Sequence, residues 1–115
     1  MLVPLTFRDV DGFPYKKDGA DVSYAIARGQ NCELYFENEK EPLIYGYPLI
    51  FFHKKMWTAN LFRRIDRFLL LKIAMLAGGK WCKAILRNGK ILNVTRREGN
   101  KKVKKYLAKI KNSIS

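Results

Sequence analysis

The chain has 115 residues and a formal net charge of +13, with 23 Lys and Arg against 10 Asp and Glu. Its length suffices for one domain but not for two with adequate cores, and a hydrophobic fraction of 48% predicts a folded chain rather than a disordered basic tail. These numbers exclude a DNA mimic, an acidic buffer, a collagen-like fibre and a disulfide scaffold.

The charges divide unevenly along the chain. Up to Glu41 there are five bases and eight acids, a net charge of −3, and from Pro42 onward there are eighteen bases and two acids, a net charge of +16. A segment with this charge repels itself unless an anion lies against it. We predict one domain, residues 1–115, with a slightly acidic β-rich part (1–41) and a strongly basic part (42–115).

Four segments in the first 52 residues carry patterns of regular structure. The sequence predicts an edge strand at residues 2–7, a short helix at residues 20–28 that ends at Gly29, a strand at residues 32–37 and a bent or bulged strand at residues 43–52.

Residues 58–77 show the strongest helical pattern of the chain. Apolar side chains recur there at helical spacing, at Leu61, Phe62, Ile65, Phe68, Leu69, Ile73 and Leu76. Arg63, Arg64 and Arg67 would share the opposite face of the first half, whereas the second half is apolar nearly all round and would lie centrally in the fold. Lys72 lies within the apolar stripe, where it would either snorkel to solvent or pair inside a pocket.

Residues 81–96 predict a β-hairpin, because Asn88-Gly89 between alternating segments favours a two-residue type I′ turn. That turn sets a register in which Arg87 pairs with Lys90, Ile85 with Leu92, Lys83 with Val94 and Trp81 with Arg96. These four pairs share one face, which we expect to be exposed. The other face is expected to meet the core; it carries Cys82, Ala84, Leu86, Ile91, Asn93 and Thr95.

The last predicted element is a basic helix at residues 100–112, capped by Asn100. Its narrow apolar stripe consists of Val103, Tyr106, Leu107 and Ile110, and lysines occupy the other faces. Several lysines lie near the N-terminal end, where the helix dipole disfavours cations, so a polyanion would compensate for their placement. The predicted fold class is α+β: a small single domain in which an antiparallel sheet with a C-terminal β-hairpin packs on one central apolar helix, followed by a terminal basic amphipathic helix.

Metal and redox chemistry have little support in the sequence. Cys32 and Cys82 are distant in the chain and His53 is the only histidine, so the ligands of a structural zinc site are not available. We predict reduced thiols, no metal and no cofactor. With no long apolar run and no signal-peptide pattern, we also expect an intracellular, cytoplasmic protein without a transmembrane segment.

The sequence does not favour an enzyme. Acidic side chains near residues 33–41 are typical of a solvated strand edge rather than of a magnesium site, and the sequence contains no phosphate-binding glycine loop. His53 is a weak catalytic candidate, and a small basic ribonuclease that uses it is a weaker alternative function.

The basic residues indicate that the partner is a polyanion. We predict a nucleic-acid-binding protein that is largely tolerant of sequence, with RNA slightly favoured over DNA, because lysine-rich surfaces contact phosphates rather than bases. The candidate binding residues are Arg63, Arg64, Arg67, Trp81, Lys83, Arg87, Lys90, Arg96, Arg97, Lys101, Lys102, Lys104, Lys105 and Lys109. The predicted pairing of Trp81 with Arg96 is explained equally well by a cation–π contact between the two side chains, with no ligand involved.

A second hypothesis is a small inhibitor or adaptor, encoded by a virus or a mobile element, that docks on the acidic surface of a larger protein or ribonucleoprotein. It rests on aromatic residues in excess of what a core of this size needs, namely Tyr45, Tyr47, Phe51, Phe52 and Trp57. A role at a membrane surface is disfavoured, because the apolar stripe of the last helix is narrow and has no Trp or Phe.

Overall fold

Ten strands and two helices make up the part of the chain that a computed structural model describes, residues 1–114, with residues 113 and 114 described by their backbone alone. In chain order they are β1 (Pro4–Arg8), β2 (Pro14–Asp18), β3 (Val22–Arg28), β4 (Asn31–Phe36), β5 (Leu43–Tyr45), α1 (Leu49–Lys55), β6 (Phe62–Asp66), β7 (Leu69–Lys72), β8 (Leu76–Lys80), β9 (Lys83–Leu86), β10 (Ile91–Asn93) and α2 (Glu98–Ile114). The predicted α+β class is confirmed.

The strands form three antiparallel sheets. β1 pairs with β2, five strands follow the order β5-β4-β3-β7-β6, and three strands follow the order β10-β9-β8. The interior strand β7 is buried on both faces: Leu70 belongs to one hydrophobic core, together with side chains of β1 and α1, whereas Leu69 and Leu71 belong to another, with side chains of β8, β9 and α2. The five-stranded sheet therefore separates two cores.

The helix predicted at residues 58–77 is wrong. This segment forms a 3-10 turn (Trp57–Ala59), β6, β7, a second 3-10 turn (Ile73–Met75) and the first residues of β8. A strand with two buried faces is apolar at consecutive positions. The sequence of residues 69–71 therefore has the same pattern as a helix that is buried on all sides. In place of a central helix, this segment supplies an interior strand, β7, and an edge strand, β6, of the five-stranded sheet.

Lys72, at the end of β7, does not snorkel freely into solvent. Its ammonium lies 2.8 Å from a carboxylate oxygen of Glu37 and donates a hydrogen bond to the Ala20 carbonyl at 2.5 Å. The alternative of a paired lysine is the one that the structure shows, and the pair ties β7 to the loop that follows β4.

Predictions for the first 52 residues have mixed outcomes. The strands at residues 2–7 and 32–37 are confirmed as β1 and β4. The helix at residues 20–28 is wrong, because Gly29, with φ of +65°, forms the tight turn between β3 and β4 instead of ending a helix. The bent strand predicted at residues 43–52 is partly wrong, since β5 has only three residues and α1 follows it.

The predicted hairpin is confirmed, but its register is wrong by one residue. Ile85 pairs with Ile91, and the Leu86 N–H donates to the Lys90 carbonyl at 2.8 Å. The loop therefore contains three residues rather than two. Gly89 has a φ of +88°, which is typical of a three-residue loop that ends with a glycine in the left-handed region.

This shift exchanges the two faces of β10, because neighbouring residues of a strand point in opposite directions. Leu92 and Val94 are buried, whereas Ile91 and Asn93 are exposed, the reverse of the expectation. β9 keeps the predicted face toward the core. On the exposed face of the hairpin, Lys83 therefore lies opposite Asn93 rather than Val94.

The terminal basic helix is confirmed, although α2 starts two residues earlier than predicted. Asn100 lies inside the helix rather than at its cap, and the Thr95 hydroxyl accepts a hydrogen bond from the Gly99 N–H at 3.0 Å. The apolar stripe is placed as predicted, with Val103 and Tyr106 buried. Within the described residues, neither helix combines the length and the apolar character needed to cross a bilayer.

Candidate functional site

Two cavities that share residues lie where α2 packs against β6; together they are called the basic cleft. The first cavity, of about 320 Å³, is lined by His53, Met56, Trp57, Asn60, Phe62, Arg63, Arg64, Lys102 and Tyr106. The second cavity, of about 360 Å³, is lined by Arg63, Ile73, Ala74, Arg87, Tyr106, Lys109 and Ile110. Arg63 and Tyr106 belong to both.

Arg63 and Arg64 are half-buried and are held in place by backbone carbonyls. Arg63 Nη1 donates to the Phe62 carbonyl at 2.9 Å and to the Asn60 side-chain oxygen at 3.0 Å. Arg64 donates to the carbonyls of Asp66 and Arg67, both at 2.8 Å. All of these acceptors are uncharged carbonyl or amide oxygens. In these contacts, therefore, no carboxylate neutralises the positive charge of either guanidinium group.

The other cations of the basic cleft come from the hairpin and from α2. Arg87 is anchored by a 2.7 Å hydrogen bond from its Nε to the Ala74 carbonyl. The Lys109 ammonium lies 5.8 Å from the centre of the Tyr106 ring, and Lys102 is half-buried at the first cavity. Three elements far apart in sequence thus place their positive charges in one cleft.

His53 and Trp57 form an aromatic corner of the first cavity. Their ring centres are 6.0 Å apart and the ring planes are nearly perpendicular, at 88°. Partial burial lowers the pKa of the His53 imidazole below its usual 6.5, and the positive charges of Arg64 and Arg63 lower it further. The imidazole is therefore mainly neutral at pH 7.

The first cavity does not have the composition of an acid–base active site. Its lining residues include no carboxylate, so His53 has no acidic partner there to orient it. Within residues 1–114, no three His, Cys, Asp or Glu side chains come together as metal ligands. The arrangement supports anion binding better than bond cleavage.

The arginine cluster predicted on one helix face is split by the strands. Arg63 and Arg64 lie on β6, whereas Arg67 lies in the turn after it, with its guanidinium 4.7 Å from the centre of the Phe68 ring.

Two lysines of the hairpin lie against other groups. Lys83 donates a hydrogen bond to the side-chain oxygen of Asn93. The Lys90 ammonium lies 4.9 Å from the ring centre of Tyr35 and 5.2 Å from that of Tyr24, so it caps a stacked pair of rings. Neither lysine lines the basic cleft.

Trp81 and Arg96 form the cation–π contact that the sequence left open. The guanidinium carbon is 5.8 Å from the centre of the Trp81 ring. Trp81 is 68% exposed and lines a small apolar cavity of about 180 Å³ beside α2, which Lys104 also lines. The remaining predicted cations are exposed beside or along α2; they are Arg97, Lys101, Lys104 and Lys105.

The five aromatic residues considered for docking to a protein divide into two groups. Tyr45 and Phe52 are buried in the first hydrophobic core, so they are not available to a partner. Tyr47, Phe51 and Trp57 are each more than half exposed. Of these three, Trp57 lies at the basic cleft.

Sequence reasoning missed Asn60, Phe62 and Tyr106 as components of the cleft. Phe62 and Tyr106 were predicted only as core residues. Tyr106 is buried in the core, and it also lines both cavities. Asn60 adopts the left-handed conformation, with φ of +55°, for which asparagine is favoured among non-glycine residues. The asparagine itself was the available signal for a turn before β6.

Comparisons with known proteins bear on the fold. No protein-family model matches the chain, and no curated protein matches it significantly. Among solved structures, a LytTr DNA-binding domain from Bacillus cereus is similar, with a TM-score of 0.65 over 91% of this chain and 96% of that chain, at 16% sequence identity. The two chains therefore share an α+β fold over nearly their whole lengths.

Proposed function

We propose that this protein binds nucleic acid, and DNA in particular, through the basic cleft and the exposed lysines of α2. The observation that carries the proposal is the convergence of cations from β6, the hairpin and α2 on two cavities that share Arg63 and Tyr106. Like charges brought together in this way oppose folding. An anion with repeated charges, such as a phosphodiester backbone, would relieve the repulsion.

Neutralising acids are concentrated in another part of the molecule. The ion pairs of Lys17, Arg28 and Lys72 take their carboxylates from residues 33–39. In the basic part, Asp66 is buried and accepts backbone hydrogen bonds, and Glu98 lies in the first turn of α2. These two acids leave most of the positive charge of residues 42–115 uncompensated within the segment, and phosphate groups would supply the missing counter-charge.

The preference for DNA rests on the fold. A domain described as DNA-binding shares this architecture, which supports DNA rather than the RNA that the sequence slightly favoured. Because the exposed cations of α2 are lysines, we expect contacts to phosphates and binding that is largely tolerant of sequence.

The test is the salt dependence of binding to a labelled 20-base-pair duplex. If about five phosphates are contacted, the association constant should fall by roughly 2.7 decades between 50 and 200 mM salt. A single-stranded RNA of equal length, titrated in parallel, tests the preference for DNA. Absence of duplex binding at 50 mM salt would refute the proposal.

Two variants with the same loss of charge locate the interface. Lys101→Gln/Lys105→Gln removes two exposed charges from α2, and Lys16→Gln/Lys40→Gln removes two exposed charges from the acidic part. The first variant should reduce the salt slope by about 2, and the second should leave it unchanged, because charges beyond about 10 Å are screened at 0.1 M salt. Equal effects of the two variants would indicate attraction by net charge alone.

A contact with another protein is a second candidate function, supported by a different surface. The rings of Tyr47 and Phe51 are exposed and their centres are 6.1 Å apart, and Ile50 is exposed on the same helix. Exposed apolar groups that lie together are typical of interaction sites. A protein that is retained after exhaustive nuclease treatment, and released by Phe51→Ser but not by Lys101→Gln/Lys105→Gln, would support this function.

A further inference from the structure

The lining of the first cavity has features that binding to a phosphodiester backbone does not require. Exposed cations on an open surface suffice for such contacts, but this cavity is a half-open concave site of about 320 Å³, a volume in the range of small-molecule sites. Its walls are aromatic and its rim is cationic. A ligand that uses the whole cavity must therefore have a flat apolar part and an anionic part.

The aromatic wall is suited to a planar group. Trp57 is 58% exposed, although its ring is held beside His53 at 6.0 Å. An exposed indole that is positioned by a neighbouring ring can stack on a nucleobase at little cost in side-chain entropy.

The cationic rim is pre-organised for a phosphate. Arg63 uses only Nη1 in its hydrogen bonds to Asn60 and Phe62, so within the described residues its Nε and Nη2 are left to donate to a ligand. Arg64 is anchored through Nε and Nη2, which leaves its Nη1. With Lys102, three positive charges surround a cavity that has no carboxylate in its lining.

We propose that the first cavity binds a single unstacked nucleotide, with its base on Trp57 and its phosphate on Arg63, Arg64 and Lys102. The chemistry is that of a nucleoside monophosphate, which could be a free nucleotide or an unpaired nucleotide of a bound strand. Binding of an unpaired nucleotide in a bound strand rests on the proposed function, whereas binding of a free nucleotide does not.

Free nucleotide binding is measured first, on the full chain with Trp81→Phe so that Trp57 is the only tryptophan. dAMP should quench the fluorescence and bind at least about tenfold more tightly than inorganic phosphate or deoxyadenosine. Since His53 is the only histidine, its NMR titration also reports on the cavity. Bound phosphate should raise its pKa, against the lowering by Arg63 and Arg64.

The second arm compares a 20-base-pair duplex with the same duplex carrying one bulged adenosine. If the cavity takes an unpaired nucleotide of a bound strand, the bulged duplex should bind about tenfold more tightly than the matched duplex. This gain should be lost in Trp57→Leu and kept in Trp81→Leu. Binding of dAMP without any gain from the bulge supports a free nucleotide. The matched duplex serves as the reference, so the gain is the ratio of the bulged to the matched affinity, measured separately in each variant.

The inference and the proposed function fail in different ways. If dAMP binds no better than phosphate and the bulge adds nothing, the nucleotide site is refuted while duplex binding stands. If dAMP binds and the duplex does not, the nucleotide site stands and the proposed function is refuted. If Trp57→Leu, followed by the NMR signals of His53 because the fluorescent probe is lost, weakens binding of phosphate and dAMP equally, the base does not stack on Trp57 and the inference is overturned.

Discussion

The carboxylate of Asp66 links the end of β6 to the start of α2. It is only 2% exposed and accepts hydrogen bonds from the backbone N–H of Thr95, at 2.9 Å, and from that of Phe68, at 2.8 Å. Thr95 lies a few residues before α2, so this link helps to set the distance between Arg64 on one side of the basic cleft and Lys102 on the other.

Asp66→Ala should therefore destabilise the protein. Two buried N–H donors lose a charged acceptor, which should lower the free energy of unfolding by about 3 kcal/mol; Asp66→Asn, which keeps one acceptor oxygen, should lose about half of that. Urea unfolding measures both. Asp21→Ala, at an exposed position, is the control and should change the free energy by less than about 0.5 kcal/mol. Equal stability of Asp66→Ala and wild type would show that the link is not structural.

The three-residue hairpin loop depends on Gly89. Its φ is +88° and no atom lies within 4 Å of the position that a Cβ would take, so Gly89→Ala should cost about 1–2 kcal/mol through backbone strain alone. Gly46 has the same open surroundings without a positive φ. Gly46→Ala should be neutral or slightly stabilising, and thermal or urea unfolding of the pair measures the difference. A similar effect at both sites would contradict the assigned loop.

Stability should fall between pH 7.5 and pH 5.5 because of His53. Its pKa is lowered in the folded chain by burial and by Arg64 and Arg63, so the unfolded chain takes up the proton first. The free energy of unfolding therefore decreases as pH falls through about 6.5 toward the lower folded pKa. Urea midpoints at the two pH values should differ in wild type and differ less in His53→Gln.

Asp18 does not confound this measurement. Backbone N–H groups, chiefly that of Ala20, lower the pKa of its carboxyl below 3.8, so its stabilising effect is lost only in more acidic solution. A pH dependence between 7.5 and 5.5 that persists unchanged in His53→Gln would count against the assigned environment of His53.

The two cysteines should react at different rates. Burial raises the pKa of the Cys32 thiol to about 11, so at pH 8 only about one molecule in a thousand carries a thiolate there. Cys82 is only half-buried. Mass spectrometry after brief iodoacetamide treatment of the native protein should find Cys82 modified before Cys32, whereas the denatured protein should show both modified. Faster labelling of native Cys32 would contradict its burial.

Elements with a single buried face were predictable from the sequence. β4 alternates between buried and partly exposed residues, and α2 has one apolar stripe with lysines on its other faces. Both periodicities are local, so they are visible without knowing the fold. β6 and β7 were not predictable in this way, because the neighbouring elements bury β7 on both faces.

The register of the hairpin shows a second limit of local signals. Asn88-Gly89 correctly indicates a tight turn, but the dipeptide occurs both in two-residue and in three-residue loops. Burial of Leu92 and Val94 against the second core is consistent with the three-residue loop. One residue of shift then moved Ile91 and Asn93 to the surface.

The sequence by itself determined the class of fold, the concentration of positive charge after residue 42 and the amphipathic character of α2, because these depend on composition and on short-range periodicity. Only the tertiary structure decided which cations meet. Arg63, Arg87 and Lys102 come together because β7 is packed between two cores and β6 at its side faces α2. That arrangement depends on packing between elements that are distant in sequence, and no local pattern in residues 58–77 predicts it.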